Sequence, residues 1–115
     1  MKKFAFALAF SVAALAGPAL ADTMENAYGN TIVVTYANGA EARYYFNADG
    51  TMQVLTPSGD TVSGAYEIDG DQICFTPDGG ERGCTAYVGG KNVGDSWTQT
   101  GTDGAEVDVR LEAGR

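Results

Sequence analysis

Residues 37–59, ANGAEARYYFNADGTMQVLTPSG, hold three glycine-containing turn signals separated by two short runs of alternating side chains. Asn-Gly and Asp-Gly favour tight turns because glycine and asparagine tolerate a positive φ angle. Between the turns, apolar and polar residues alternate, which is typical of a strand with one buried face. The stretch therefore predicts antiparallel strands joined in sequence by hairpins.

The same kind of turn recurs along the rest of the chain, at glycines 70, 79, 90 and 104 in addition to 39, 50 and 59. The first six of these seven glycines are 9 or 11 residues apart, and the last gap is 14. Seven turns separate eight short strands. The predicted strands cover residues 30–36, 40–46, 51–56, 60–68, 71–76, 82–88, 95–101 and 105–111.

These strands predict an all-β fold with one apolar and one polar face. The fold class that we expect is an eight-stranded antiparallel meander curled into a small up-and-down barrel, in which the first strand meets the eighth. An open curved sheet or a sandwich is the alternative. The residues predicted to face inward are Ile32, Val34, Tyr36, Ala42, Tyr44, Phe46, Met52, Val54, Val62, Tyr66, Ile73, Phe75, Tyr87, Trp97, Val107, Val109 and Leu111.

The turn types also predict a register, since a one-residue slip would reverse every side chain of a strand. The predicted pairs are Val34–Ala42, Ile32–Tyr44, Phe46–Met52, Tyr44–Val54, Val54–Val62, Tyr66–Ile73, Gly64–Phe75, Cys74–Cys84, Ile73–Thr85, Phe75–Gly83, Trp97–Val109 and Gln99–Val107.

The first 21 residues resemble a secretory signal peptide. A basic MKK is followed by an apolar run of about fourteen residues and by the small-x-small sequence Ala19-Leu20-Ala21. That run is shorter than the roughly twenty residues of a membrane span. We therefore predict cleavage after Ala21, a periplasmic or secreted protein, no transmembrane segment in the mature chain, a flexible lead-in over residues 22–29, and a single β-barrel-like domain over residues 30–115.

Two cysteines, Cys74 and Cys84, are the only ones in the chain. Export to an oxidising compartment favours a disulfide between them, and a small domain gains from such a covalent link. With no histidine in the sequence, the two thiolates cannot complete a zinc site of cysteines and histidines. Nine intervening residues also rule out a CxxC redox pair. The pair is predicted to be a structural, cross-strand disulfide on the outer face.

The charge limits the partners. Without Lys2 and Lys3 the chain has five basic and fifteen acidic residues, a net charge of −10. Nucleic acids and anionic membranes select basic surfaces, so neither is expected to bind. The negative charge is compatible with a cationic protein or envelope component as the partner. The alternative is that the charge only keeps the protein soluble.

No arrangement of residues predicts catalysis, a metal site or a cofactor. Nucleophile activation by a Ser-His or Cys-His pair needs a histidine, and the chain has none. The Asp-Gly turns lack the first and last ligands of a calcium loop when the pattern is set on Gly50 or Gly70. We therefore expect a non-enzymatic protein without a cofactor.

Two surfaces are candidates for binding. The inward Trp97 and tyrosines are either core packing or the wall of a small-ligand pocket at a barrel mouth, and buried phenols need polar partners in both cases. On the outer face, a patch next to the disulfide is either a docking surface or scattered apolar residues. The residues of that patch are Tyr45, Leu55, Ala65 and Ala86.

The runs FNADGT (46–51), GAYEIDGDQIC (64–74) and KNVGDSW (91–97), with Cys84 between the last two, resemble a group of small exported alphaproteobacterial β-proteins without an assigned activity. The likeness covers about residues 30–115. It implies export, a β-barrel-like fold and one disulfide, and it supplies no catalytic residue.

Residues 63–66, Ser-Gly-Ala-Tyr, are in part similar to a segment of the periplasmic inhibitors of c-type lysozyme, in which an arginine precedes the tyrosine. That resemblance implies a lysozyme-binding role for Ser63 and Tyr66. The sequence as a whole predicts a monomeric exported domain with a binding or envelope-support role and an unknown partner. Lysozyme inhibition and small apolar ligand binding are the alternatives.

Overall fold

A computed structural model describes residues 22–115, and the predicted signal peptide lies outside the described residues. Residues 22–115 form one short helix and eight strands. Helix α1 is Thr23–Ala27, and the strands are β1 Thr31–Thr35, β2 Glu41–Phe46, β3 Thr51–Leu55, β4 Thr61–Asp69, β5 Gln72–Pro77, β6 Gly83–Ala86, β7 Ser96–Thr100 and β8 Glu106–Glu112. Among the described residues, no helix has the length and apolar character needed to cross a membrane.

The eight strands form one antiparallel, barrel-like sheet in the order β6-β5-β4-β3-β2-β1-β8-β7. The first strand pairs with the last, with Ile32 opposite Leu111 and Val34 opposite Val109. Each of the seven predicted turn glycines has a positive φ angle. The predicted all-β fold and the contact between the first and eighth strands are therefore confirmed.

The register follows the predicted pairs in five of the six hairpins for which pairs were predicted. Tyr44 lies opposite Val54, and Trp97 opposite Val109. The prediction is wrong for β4 and β5, where Tyr66 lies opposite Phe75 instead of Ile73. In that turn Gly70, at φ +63°, is the first of the two central residues, whereas the prediction centred the turn on Asp69-Gly70. The partner shifts by two residues, so the inward face is unchanged.

The link from β6 to β7 is not a hairpin, although the Gly-Gly signal at Gly90 predicts one. These two strands are the two edges of the sheet and do not pair through their backbones. The connecting residues 87–95 contact α1 instead. The hydroxyl of Thr23 donates to the carbonyl of Val88 at 2.6 Å, and the amide of Asn26 donates to the carbonyl of Lys91 at 2.8 Å.

Residues 22–29, for which the sequence predicts a flexible lead-in, contain helix α1. The Asp22 side chain caps the helix by accepting from the Met24 backbone at 3.2 Å. Met24 and Ala27 are buried in the same cluster as the inward strand residues. A segment of five helical residues thus contributes to the barrel core, because its apolar side covers one end of the barrel.

The core cluster consists of the inward residues predicted from the alternation, apart from Ala42 and Val62, joined by Met24, Ala27 and Tyr28. Some outward residues are also buried, among them Val33. Val33 lies between Arg43 and Arg110 in the register and is fully covered. Both arginines pair with Glu112, at 3.4 and 3.0 Å, so their aliphatic stems shield the valine.

Cys74 and Cys84 are bonded to each other and lie directly opposite in the β5–β6 register. Their side chains alternate with the inward Ile73 and Phe75, which places the bond on the outer side of the sheet as predicted. Cys74 is nevertheless buried. It lies opposite Glu67, whose carboxylate accepts from Arg82 at 3.1 Å.

We expect that denatured, unreduced protein contains no titratable thiol, and that reduction lowers the free energy of unfolding by about 2–3 kcal/mol without changing the fold. The effect is limited because the bond closes a short loop in a hairpin that also has its own turn and apolar pairs. Thiol titration and urea unfolding with and without reductant measure both quantities. The double variant Cys74→Ala/Cys84→Ala should match the reduced protein. Two free thiols in freshly isolated protein would contradict the prediction.

Candidate functional site in the barrel interior

The barrel interior contains a cavity of about 240 Å³. Its wall comes from helix α1, from strands β1, β2, β5, β6, β7 and β8, and from residues 101–103 of the last turn. The cavity lies along the inner side of the gap between β6 and β7. Inward strand residues, which the alternation assigns to the core, therefore surround space that they do not fill.

One side of the wall is aromatic. The rings of Tyr44 and Phe75 have centroids 5.6 Å apart, and Phe46 lies 6.0 Å from Tyr44 and 5.9 Å from Phe75. These distances are typical of favourable aromatic contacts. Trp97 lines another part of the wall, from β7. The cavity is thus bounded largely by flat, apolar surfaces.

Helix α1 closes one end of this cavity through Met24 and Ala27. The helix is held in place by the β6–β7 connection. The hydroxyl of Tyr87 donates to the Asp22 carboxylate and accepts from the Met24 backbone at 3.1 Å. The Thr23 hydroxyl accepts from the backbone of Lys91 at 3.0 Å. The closed end of the cavity therefore depends on residues distant in sequence.

The β6–β7 gap is bridged by side chains. The amide of Gln99 donates to the carbonyl of Ala86 at 3.1 Å and to the hydroxyl of Thr85 at 3.2 Å. The Thr85 hydroxyl in turn donates to the carbonyl of Thr100. The indole N–H of Trp97 donates to the Gln99 side-chain oxygen at 2.6 Å. We call these four residues, Thr85, Trp97, Gln99 and Thr100, the seam network.

Burial raises the pKa of three inward tyrosines, Tyr44, Tyr66 and Tyr87. The pKa of Tyr44 rises because its phenol is desolvated and lies beside that of Tyr36. Desolvation and the neighbouring Asp22 carboxylate raise the pKa of Tyr87 to about 12. Tyr66, whose hydroxyl donates to the carbonyl of Asn47 at 2.8 Å, also has a raised pKa through burial and the nearby Tyr28 phenol. At neutral pH these groups are neutral phenols and cannot act as bases.

The predicted outer-face candidates do not share the cavity, except for Ala86 at its edge. Tyr45 lies under the Arg115 guanidinium, whose carbon is 5.5 Å from the ring centroid. Ala65 pairs with Thr51 and Thr76, and Leu55 with Arg43 and Thr61. These pairings place Leu55 and Ala65 four residues apart along the sheet, so the predicted patch is not contiguous.

Ser63 and Tyr66 lie on opposite faces of β4. Ser63 is exposed on the outer face, opposite Gln53. Tyr66 points inward and packs edge-on against Phe46, with ring centroids 5.0 Å apart. The two residues are therefore not parts of one surface.

Three hydrogen-bonded polar residues of the cavity wall, Thr23, Thr85 and Gln99, were not predicted as site residues. A signal existed for Thr85 and Gln99, because their predicted pairings with Ile73 and Val107 place polar side chains at inward positions, and both pairings are confirmed. For Thr23 there was no signal, since its role depends on the fold of residues 87–91. A comparison of the chain with protein-family models, with curated proteins and with solved structures finds no match.

Proposed function

We propose that this protein is a non-enzymatic binding protein that holds one small molecule inside its barrel. The observation that carries the proposal is the 240 Å³ cavity. Protein interiors are normally close-packed, with few voids larger than a water molecule. Unfilled space is unfavourable because the atoms around it lose contacts. A ligand of matching size would restore those contacts.

The size of the cavity supports a small ligand. In another protein, an engineered apolar cavity of about 150 Å³ binds benzene, whereas pockets for drug-sized molecules begin at about 300 Å³. The cavity of this protein, at 240 Å³, lies between these values. The raised pKa values of Tyr44 and Tyr87 keep these two lining phenols neutral at neutral pH, which supports a binding role over proton transfer.

The test is a thermal unfolding series with three probes that share one ring system, 2-naphthol, 2-naphthoate and 2-naphthylmethylammonium. We expect at least one of them to stabilise the mature protein. A probe at about ten times its dissociation constant adds about 1.4 kcal/mol to the free energy of unfolding. In a domain of this size that raises the unfolding midpoint by about 5–10 °C. Circular dichroism measures the midpoint without interference from probe fluorescence.

Two valine variants locate the binding site. Val34 lines the cavity, and Val62 is an inward, half-buried residue that does not. We expect Val34→Phe to abolish the stabilisation by filling the cavity, and Val62→Phe, which adds the same volume elsewhere, to retain it. Saturable quenching of Trp97, the only tryptophan in the chain, by bromobenzene gives a second measurement on the unmodified protein. If none of the probes binds, the proposal is wrong.

Export, envelope support and lysozyme inhibition remain predictions from the sequence. The inhibitor alternative has no supporting observation among the described residues, because Ser63 and Tyr66 face opposite sides of β4. It still makes a simple prediction, which is that the mature protein slows c-type lysozyme and that Ser63→Ala weakens the effect. Undiminished lysozyme activity at high micromolar protein would rule it out.

A further inference from the structure

We infer that the ligand of the barrel cavity is an uncharged aromatic molecule of about two fused rings. This inference rests on the proposed binding function and specifies its ligand class. It follows from the charges around the cavity, from the hydrogen bonds that its polar groups already make, and from the shape and size of its wall.

The charges argue against an anion. Among residues 22–115, no lysine or arginine lines the cavity, and the single charged lining residue is Asp103. Moving a carboxylate or phosphate from water to a site without a cationic partner is strongly unfavourable. The phenols of Tyr36 and Tyr44 lie beside each other, but a phenol is a weaker partner for an anion than an arginine or lysine. An anionic ligand would therefore lose more hydration than it could regain.

The charges also argue against a cation, although aromatic rings can bind one. The Asp103 side chain lies in the exposed last turn and accepts from the backbone N–H of Ala105 at 3.0 Å. The ring of Trp97 already has the Lys91 ammonium 5.4 Å from its centroid. An ammonium ligand would thus meet a competing cation at the tryptophan and no buried carboxylate.

Five polar residues of the wall, Thr23, Thr85, Tyr87, Trp97 and Gln99, already make hydrogen bonds within the protein. Gln99 uses both its amide and its oxygen in the seam network. The Thr23 hydroxyl donates to Val88 and accepts from Lys91, and the Tyr87 hydroxyl donates to Asp22 and accepts from Met24. Within residues 22–115, no buried side-chain polar atom lacks a hydrogen-bond partner. A strongly polar ligand would have to break protein hydrogen bonds to make its own.

The wall selects shape as well as polarity. The rings of Tyr44, Phe46 and Phe75 form a continuous aromatic surface, and flat rings pack well against such a surface in offset or edge-to-face contacts. Since a cavity of about 150 Å³ holds one benzene ring, the 240 Å³ of this cavity fits about two fused rings. A single hydroxyl on the ligand is compatible with the Tyr36–Tyr44 pair.

The experiment compares dissociation constants of the same three naphthalene probes at pH 7, by isothermal titration calorimetry on the mature protein. We expect 2-naphthol to bind at least about 100-fold more tightly than 2-naphthoate and 2-naphthylmethylammonium, because each charged probe must be desolvated without a partner. In a size series, phenol should bind about tenfold more weakly than 2-naphthol, and the three-ring 2-anthrol should not bind. Val34→Phe should remove 2-naphthol binding, and Val62→Phe should not.

Equal or tighter binding of either charged probe overturns the inferred ligand class and leaves the cavity-binding function standing. Equal binding of 2-anthrol and 2-naphthol overturns the inferred size. Failure of all probes to bind overturns both the inference and the proposed function.

Discussion

Replacing Gly64 with alanine should destabilise the protein by about 3 kcal/mol, the upper end of the usual cost of overpacking. A Cβ atom at this position would lie 2.5 Å from the carbonyl oxygen of Thr76 and 2.8 Å from the Cα of Pro77. Both are backbone atoms of β5, which is paired on its other side with β6 through the disulfide-bonded hairpin. The strand therefore cannot move away without disturbing two ladders.

Urea unfolding followed by circular dichroism measures this effect, with Gly83→Ala as the matched control. Gly83 is also a strand glycine, on β6, but its added Cβ would meet only the side chain of Thr102, at 3.6 Å. We expect the free energy of unfolding of the control to lie within about 0.5 kcal/mol of that of the unmodified protein. A Gly64→Ala variant as stable as the control would show that the contact between β4 and β5 is looser than the structure indicates.

We expect the protein to unfold at alkaline pH, and the pH of unfolding should depend on three inward tyrosines, Tyr44, Tyr66 and Tyr87. The pKa values of Tyr44 and Tyr66 are raised by burial, and that of Tyr87 is raised to about 12, whereas an unfolded tyrosine has a pKa of about 10. The folded state thus binds these protons more tightly than the unfolded state. Their contribution to stability is fully present below pH 10 and is lost as the pH rises through 12.

Urea unfolding at several pH values measures the loss, and tyrosine absorbance at 295 nm follows ionisation. We expect three of the six tyrosines to ionise only together with unfolding. Tyr87→Phe should make the loss of stability between pH 10 and 12 less steep, because it removes one of the groups responsible. Tyr45→Phe, on the outer face, should leave the steepness unchanged. Full ionisation of all six tyrosines in a protein that is still folded would contradict the prediction.

The sheet could be predicted from the sequence because its causes are local. The ANG, ADG and PSG turns define their own hairpins, and the alternation between them identifies the inward side chains. The Gly70 turn shows the limit of that method. Asp69-Gly70 and Gly70-Asp71 are both acceptable central pairs, and the alternation cannot choose between them because the two registers keep the same face.

The cavity and the gap beside it could not be predicted, because their causes are not local. Residues 87–95 carry a hairpin signal at Gly90, yet they contact α1 through pairs such as Tyr87 with Asp22 and Thr23 with Val88. Nothing near either partner in the sequence indicates such a pairing. The connection turns away from the sheet beside the cavity, and only Thr85 and Gln99, polar residues at inward positions, indicated the cavity.

The unpaired edges of this barrel are two consecutive strands, β6 and β7, whereas the first and last strands pair with each other. Strands β1 and β8 are neighbours in the sheet, and the hydroxyl of Thr31 donates to the carbonyl of Gly114 at 2.6 Å. The strand order is therefore that of a circularly permuted up-and-down meander. A circular permutant that joined the C-terminal residues to the segment before β1 and opened the chain between β6 and β7 would keep every backbone ladder and run through the sheet from one edge to the other. In such a chain helix α1 would lie between the second and third strands, and the cavity would lie between the first and last strands.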